Sequence, residues 1–352
     1  MQIINESRKG IKLSLLERIK TKIFRWFHLT NKPAIKLYSG YGNDKNIIVF
    51  GHVMKLSPLP RKKFRKSFIN NTYGLLRLFM VRVFANVNLQ LEWEGILYET
   101  KSQNDGFFRF EIVPLKPVSP GWHPVKVRCA DSKHPVEAVG EFFIPFVYQF
   151  AFISDIDDTF LVSHSSNLRK RLYVLFTKNA RSRKPFEGVV NHYQQLASTG
   201  ASRDTYNMFF YVSSSEWNLY EYITEFARIN KLPKGIYLLN QLKTFSQVFK
   251  TGQNNHSTKF MRISRIMEAY PNQKFILLGD DSQEDPNIYK AVTEYFPQNV
   301  HAVYLRHIVK DHYERVKKTA EQIEAKGIPC CYFTHSSEAI IHSKKIALIP
   351  VE

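Results

Sequence analysis

A buried-strand pattern that ends in clustered carboxylates constrains this chain more than any other feature. Residues 150–153 are apolar or aromatic, and Asp155, Asp157 and Asp158 follow within a few positions. Carboxylates at the end of a buried strand can converge on a divalent metal and a phosphate. On the Asp-x-Asp-x-Thr pattern, we expect Asp155 to attack phosphorus, Asp157 to protonate the leaving oxygen and later activate water, and Thr159 to hold the Asp157 loop. An acidic turn after a strand is the alternative, since short motifs recur by chance.

Two downstream positions fit the same chemistry. Ser213 follows the apolar strand pattern at 209–212, and its hydroxyl and backbone N–H are suited to hold a transferring phosphoryl group. Taken alone, a serine after a strand is most often a turn or N-cap residue. Lys259 opens an amphipathic helical pattern, where a lysine opposes the helix dipole and gains from a nearby carboxylate and phosphate. A solvated surface lysine is the alternative.

A second strand pattern with a carboxylate end lies at 275–279. Asp280 and Asp281 follow it directly, and Asp285 comes next before a proline. We expect Asp280 to complete the metal shell, and Asp285 to orient Lys259 or to contact the metal through water. The predicted metal-ligating set is therefore Asp155, Asp157, Asp280 and Asp285.

These motifs, in this order, resemble the haloacid dehalogenase superfamily of phosphohydrolases. Residues 148–310 are similar, more narrowly, to the phosphatidate phosphatase catalytic domain of the actin-patch-associated type, on the segments 155–159, 211–220, 279–289 and 302–306. The resemblance implies a magnesium-dependent phosphatase that forms an aspartyl-phosphate and converts phosphatidate to diacylglycerol. It also implies a Rossmann-like sheet that carries the site at its carboxyl edge: Asp155, Asp157, Ser213, Lys259 and Asp280.

The chain departs from the family pattern at two positions. Glu216 stands before Trp217 where a proline is expected, and Asp281 follows Asp280 where a serine is expected. We expect the extra carboxylate of Asp281 to alter metal affinity or to repel an anionic substrate. These departures bear on the substrate more than on catalysis.

Two other functions remain compatible with the pattern. One is a phosphatase for a soluble phosphomonoester, such as a sugar phosphate, a nucleotide or a phosphoprotein. The other is a non-catalytic module that binds anionic lipid head groups. The acidic set argues against the second, because a binder of anions gains nothing from Asp155, Asp157 and Asp280 unless a metal neutralises them.

Basic charge is concentrated at the beginning of the chain. The formal net charge is +19, and residues 1–66 hold sixteen Lys and Arg against three acidic residues. Such charge suits an anionic surface, and the basic amphipathic pattern at 13–29, with Trp and Phe on its apolar stripe, favours lipid over nucleic acid. A helix that packs on its own domain is the alternative. No apolar run reaches about 20 residues, so we expect a soluble or peripheral protein. The odd count of three cysteines, without metal-ligand spacing, favours a reducing compartment such as the cytoplasm.

The pattern divides the chain into three parts. Residues 1–35 form the basic amphipathic segment, residues 36–148 an all-β, sandwich-like domain, and residues 149–352 the α/β catalytic domain. The strand patterns of the second part lie at 47–50, 75–85, 90–94, 107–113, 125–129 and 141–144.

The intervals from Thr159 to Phe209 and from Ser213 to Lys259 are too short for a large cap domain in addition to the sheet elements they must contain. This predicts an open site. The basic segment at 169–184 is compatible with a mobile flap and equally with a helix over the sheet edge, and the basic loop at 61–66 with a solvated insertion. We expect residues 13–29, 61–66 and 169–184 to form one cationic face around the active-site mouth, where each positive side chain near an anionic bilayer contributes about 1 kcal/mol.

Overall fold

A computed structural model of the chain describes residues 34–54, 83–130, 136–146, 148–156, 185–200, 206–241 and 255–351. Several predicted features lie outside the described residues and stay predictions. They are Asp157 and Thr159, the segments 13–29, 61–66 and 169–184, and most of the strand pattern at 75–85.

The first sheet contains eight strands, which come from residues 34–144. They are β1 Ala34–Leu37, β2 Gly40–Gly42, β3 Ile47–Met54, β4 Asn88–Trp93, β5 Ile96–Lys101, β6 Phe107–Ile112, β7 Gly121–Cys129 and β8 Glu137–Ile144. The order along the sheet is β1, β3, β2, β8, β7, β4, β5, and β6 also pairs with β3. The sheet is mixed, because β2 and β8 are parallel while the other pairs are antiparallel.

Alternation of side chains explains how this sheet encloses a core. In β6, Phe108, Phe110 and Ile112 are buried, whereas Arg109 and Glu111 point to the other face. Apolar side chains of β3 and β6 pack in one cluster with those of β4 and β7, although β4 and β7 are not hydrogen-bonded to β3 or β6. The sheet therefore curls over its own core.

Five of the predicted strand patterns overlap β3, β4, β6, β7 and β8, and three observed strands were not predicted. Of these, β5 alternates between half-buried and exposed positions and so lacks the buried face that makes a pattern visible. The turn between β4 and β5 has positive φ at both Glu94 (51°) and Gly95 (79°), which is the geometry of a two-residue hairpin turn.

The second sheet contains six parallel strands. They are β9 Phe150–Ser154, β10 Met208–Glu216, β11 Gly235–Asn240, β12 Lys274–Asp280, β13 Val300–Arg306 and β14 Cys330–Phe333. The order is β11, β10, β9, β12, β13, β14, so that the chain starts in the middle, builds one edge and then returns to build the other. This is the strand order of doubly wound α/β sheets.

Helices cover this parallel sheet and explain its almost continuous burial. In the described residues they are α1 Val189–Ser198, α2 Tyr220–Ile229, α3 Asn255–Ala269, α4 Asp285–Tyr295, α5 Tyr313–Glu324 and α6 Ser336–Lys345. Helix α4 contacts both α3 and α5, and α1 contacts α6. Strand β12 is buried at every position after Lys274, as expected for a strand that is covered on both faces.

The two sheets are joined by an apolar interface. Tyr38 and Tyr41 of the first sheet belong to the same apolar cluster as the core of the parallel sheet. The Tyr41 ring meets the Phe210 ring edge-on, with 5.4 Å between centroids. Tyr270, after α3, donates a hydrogen bond from its hydroxyl to the carbonyl of Gly42 at 2.9 Å. The first sheet therefore packs directly against the elements that carry the predicted site.

Candidate active site

Three aspartates converge at the carboxyl edge of the parallel sheet. Asp155 follows β9, Asp280 ends β12, and Asp285 begins α4. Strands β9 and β12 are parallel neighbours in which Ser154 pairs with Leu278, so their ends reach the same edge. Each aspartate offers a carboxylate oxygen within 4.8 Å of those of the other two, and all three residues are buried.

The backbone around Gly279 permits this close approach. A Cβ atom at Gly279 would lie 2.6 Å from Oδ2 of Asp285 and 2.7 Å from the Tyr289 ring, so no larger residue fits there without displacing α4. The Oδ1 atom of Asp280 accepts a hydrogen bond from the Ser282 backbone N–H at 2.6 Å, which fixes the turn after β12. Pro286 stands in the first turn of α4, where a missing N–H has no consequence.

Lys259 lies among the aspartates. Its Nζ is 2.9 Å from Oδ1 of Asp155 and also donates a hydrogen bond to Oδ1 of Asp285. Burial by itself would lower the pKa of Lys259, but attraction to Asp155 and then to Asp285 outweighs it and raises the pKa above the ordinary value. The lysine therefore stays charged, and it compensates part of the negative charge that the sheet edge buries.

Ser213 lies at the same edge on the neighbouring strand. Strand β10 runs parallel to β9 and Tyr211 pairs with Ser154, which brings Ser213 beyond the end of β9. Its side chain is fully buried, and its Oγ accepts a hydrogen bond from the Ser215 backbone N–H at 2.8 Å. Its carbonyl accepts one from Nη1 of Arg262 at 3.0 Å.

Asp281, the second carboxylate after β12, is engaged elsewhere. Its Oδ1 accepts hydrogen bonds from the backbone N–H groups of Ile308 and Val309 at 2.7 and 2.9 Å. Its Oδ2 accepts one from the Tyr332 hydroxyl at 2.6 Å and lies 2.7 Å from Nδ1 of His307. Asp281 was expected to act on metal or substrate, but these contacts give it a different task, which is to anchor the loop after β13.

Two arginines, the half-buried Arg262 and the buried Arg306, were not predicted. Arg262 lies one turn after Lys259 on α3, and its second contact is Oδ1 of Asn240 at 3.2 Å, at the end of β11. Burial, and then the nearby Arg265, lower the pKa of Arg262 to about 10. Arg306 ends β13, stacks against two phenylalanine rings and donates to Oγ of Ser336 at 2.8 Å. The spacing of Arg262 from Lys259 is the signal that the sequence offers, since residues three apart share a helix face.

The charge and the donor atoms of the cluster fit a divalent cation. Asp155, Asp280 and Asp285 provide only carboxylate oxygens, which are the ligands that Mg²⁺ prefers in proteins. When ionised, the three carboxylates and the ammonium group of Lys259 leave a formal charge of −2, which one divalent ion neutralises. Asp157, the remaining predicted ligand, lies outside the described residues.

A cavity of about 720 Å³ lies away from this cluster. It is lined by Met208 and Gly235, at the beginnings of β10 and β11, and by Trp122 and Phe143 of the first sheet. Because parallel strands begin at the edge opposite to their carboxyl ends, this cavity and the aspartates occupy opposite edges of the sheet. The prediction of an open site depends on residues 157–184 and 242–254, which lie outside the described residues.

Within the part of the chain that the structure describes, no helix has the length and apolar composition needed to cross a membrane.

Comparison with known proteins finds a similarity in the region that holds the cluster. Residues 150–307 match the family model described as phosphatidate phosphatase APP1, catalytic domain. The matched region contains each described member of the predicted site: Asp155, Ser213, Lys259, Asp280 and Asp285.

Individual relatives match the same part of the chain. The chain is 29% identical to phosphatidate phosphatase APP1 of Saccharomyces cerevisiae over 160 residues, which cover 45% of this chain and 26% of that protein. It is 21% identical to an uncharacterised protein of Schizosaccharomyces pombe over 168 residues, 47% of this chain and 26% of the relative. The chain thus spans about a quarter of the length of the curated relatives it matches.

Similarity to solved structures is weak. A carbohydrate acetylesterase from Xanthomonas citri overlaps with a TM-score of 0.36 and 7% identity, over 90% of this chain and 74% of that chain. A likeness at this level carries no argument about the fold.

Proposed function

We propose that this chain is a phosphatase that hydrolyses a phosphomonoester, because residues 150–307 match the family model of the APP1 phosphatidate phosphatase catalytic domain. We propose a Rossmann-like haloacid dehalogenase fold for this domain, with phosphatidate as the substrate and diacylglycerol as the product. The observation that carries the proposal is the buried cluster of Asp155, Asp280 and Asp285 around Lys259. Buried ionisable groups gathered at the carboxyl edge of a doubly wound sheet are typical of catalytic sites.

In the first half of the proposed reaction, a carboxylate oxygen of Asp155 attacks phosphorus, and the bond between phosphorus and the leaving oxygen breaks. Asp157 donates its proton to that oxygen, which releases the alcohol and leaves an aspartyl-phosphate. In the second half, Asp157 takes a proton from water, the water oxygen attacks phosphorus, and inorganic phosphate leaves as the Asp155 carboxylate is restored.

The other residues hold the reacting groups. Lys259 keeps Asp155 oriented through their 2.9 Å ion pair and adds positive charge where the phosphoryl group carries negative charge. In this proposal the hydroxyl and backbone N–H of Ser213 donate to phosphoryl oxygens. Asp155, Asp157, Asp280 and Asp285 would hold Mg²⁺, which supplies charge neutralisation for the phosphoryl group when bound.

The substrate and its metal requirement are tested together. Phosphate release from phosphatidate in mixed micelles is compared with release from a panel of soluble phosphomonoesters, in Mg²⁺ and in EDTA, with Asp155→Asn as the control. We expect magnesium-dependent release from phosphatidate that the variant lacks. Preference for a soluble ester would identify the alternative substrate class, and no release from any ester would leave lipid binding without catalysis.

We propose a cytoplasmic protein that binds membranes peripherally through its basic segments. The support is the concentration of Lys and Arg in residues 1–66 and 169–184. Deletion of residues 1–30 is then expected to lower activity on anionic vesicles and leave activity on a soluble ester intact. Equal vesicle binding by the truncated and full chains would contradict this role.

A further inference from the structure

Residues 213–216 form the irregular end of strand β10, here called the Ser213–Glu216 turn. Strand β10 pairs with β11 in register up to Val212, and the register shifts before the pairing resumes between Glu216 and Asn240. Irregularities of this kind re-aim side chains and are frequent near active sites. The position of this turn therefore also depends on the residues that pack against it.

The end of this turn is held by the first sheet. Trp217 follows Glu216 directly and begins a short 3-10 turn, Trp217–Leu219. Its ring stacks on the Tyr38 ring, with 4.0 Å between centroids and 17° between planes. The rings of Phe50 and His52 also face Trp217, at 5.8 and 6.1 Å. Tyr38, Phe50 and His52 all come from the first sheet or its connections.

Tyr38 is itself held in one orientation. It is 2% exposed, its hydroxyl lies 3.0 Å from Nδ1 of His52, and its ring also contacts the Tyr220 ring at 4.5 Å. A buried tyrosine whose hydroxyl has a partner presents a rigid aromatic face. The stack with Trp217 is therefore a fixed support.

The turn also contacts the loop that follows Asp280. The hydroxyl of Ser214 donates to Oε1 of Gln283 at 2.9 Å. Ser213 at the start of the turn is held from the other side by Arg262. A shift of Trp217 would thus change the position of Ser213 and would pass to the neighbouring loop through Ser214.

We propose that the first sheet completes the active site, and that Tyr38 is a positioning residue which fixes the Ser213–Glu216 turn through its stack with Trp217. The inference rests on the proposed phosphatase function for its catalytic consequence. The first sheet lies outside the region that matches the phosphatase family, residues 150–307. On this view the sheet and the catalytic region form one functional unit.

Tyr41 provides a matched control. It is also a buried tyrosine of the first sheet at the same interface, but its ring meets Phe210 at 5.4 Å, and Tyr270 and Phe50 at 6.4 Å. None of these partners belongs to the Ser213–Glu216 turn, and Tyr41 approaches Trp217 only through Phe50. A loss of interface packing alone should therefore affect Tyr38 and Tyr41 variants alike.

The experiment uses the full chain with Tyr38→Ala, Tyr38→Phe and Tyr41→Ala, and it measures two quantities. The first is kcat and KM for p-nitrophenyl phosphate and for phosphatidate in mixed micelles. The second is hydrogen exchange of the backbone amides of residues 213–219. If Tyr38→Ala does not fold, Tyr38→Leu replaces it.

We expect Tyr38→Ala to lower kcat roughly tenfold to a hundredfold, because small displacements of positioned groups cost about that much, with KM nearly unchanged and faster exchange at 213–219. Tyr38→Phe keeps the stack but loses the His52 contact, so it should lower the melting temperature and retain kcat. Tyr41→Ala should lower the melting temperature and retain both kcat and the exchange protection of 213–219.

Equal loss of kcat in Tyr38→Ala and Tyr41→Ala would overturn the inference, as would unchanged exchange at 213–219 in Tyr38→Ala. If the wild-type chain releases no phosphate from either ester, the proposed function fails, but the exchange measurement still decides whether Tyr38 fixes the turn.

Discussion

The two sheets treat buried polar groups in opposite ways. Among the described residues of 34–144, the buried polar side chains are His52 and Ser102, and neither is a carboxylate, a lysine or an arginine. The parallel sheet, in contrast, buries charged side chains at its carboxyl edge: Asp155, Glu216, Lys259, Asp280, Asp281, Asp285 and Arg306. Buried charge opposes folding unless it is paired, so its concentration at one edge indicates a function that requires it.

The comparison also separates two uses of buried charge. Asp155 and Lys259 belong to a cluster that can hold metal and substrate, whereas Asp281 is satisfied by the loop after β13. Under the proposed function, Asp280 serves chemistry and the adjacent Asp281 serves architecture. Substitutions of individual charged residues test this division.

Asp155→Asn and Asp281→Asn are expected to give opposite results. The first removes the proposed nucleophile at nearly constant volume, so kcat should fall on the order of 10³-fold or more with little loss of stability. The second removes the charged acceptor of the half-buried Tyr332 hydroxyl and His307 ring, which costs about 1–3 kcal/mol in free energy of unfolding, while kcat changes less than about tenfold. Phosphate release and urea unfolding measure the two effects. A large kcat loss in Asp281→Asn with wild-type stability would show that this carboxylate takes part in the reaction.

Lys259→Met tests whether the cluster depends on its ammonium group. The variant leaves Asp155 and Asp285 without their buried partner, and removal of one member of a buried pair costs about 3–5 kcal/mol. We expect the free energy of unfolding to fall by an amount near the lower end of this range, and we expect activity to be lost. Lys326→Met is the control, because its pair with Glu294 is exposed and such pairs contribute about 0–1 kcal/mol. Similar stability losses in both variants would contradict the distinction between the buried edge and the surface.

Strand ends could be predicted well because the signal is local. An apolar run followed by a carboxylate requires only neighbouring residues, and the parallel topology then brings Asp155, Asp280 and Asp285 to one edge. Of the strands that were not predicted, β1 and β2 are short, and β5 alternates between half-buried and exposed positions without a fully buried face. The domain boundaries and the residue roles in catalysis stay predictions.

Contacts between distant segments could not be predicted from one sequence. Tyr38 and Trp217 are far apart along the chain, and no periodicity connects them, although their rings stack. The same holds for Asp281, whose partners lie on the loop after β13 and on β14. A carboxylate next to a predicted metal ligand suggests a role at the metal, and only the tertiary structure shows which donors it meets.

The two sheets differ in buried charge, but both should lose stability in acid, because each region contains a buried histidine. His52 at the interface of the first sheet and His192 on α1 are both buried, and burial lowers the pKa of each to about 3; for His192, Arg306 and His342 add to the effect. In the unfolded chain each pKa returns to about 6.5, so the unfolded state binds more protons between these values. The stabilising contribution of neutral histidine is therefore complete above pH 6.5 and is lost as the pH falls toward 3. For each histidine, the slope of the unfolding free energy against pH approaches about 1.4 kcal/mol per pH unit. At pH 5 each histidine should therefore reduce the free energy of unfolding by about 2 kcal/mol.

Urea unfolding at pH 7 and pH 5 measures this loss. Each of the variants His52→Gln and His192→Gln should remove about half of the histidine contribution to it. If neither variant reduces the difference in unfolding free energy between pH 7 and pH 5, groups other than these histidines determine the acid sensitivity of both sheets.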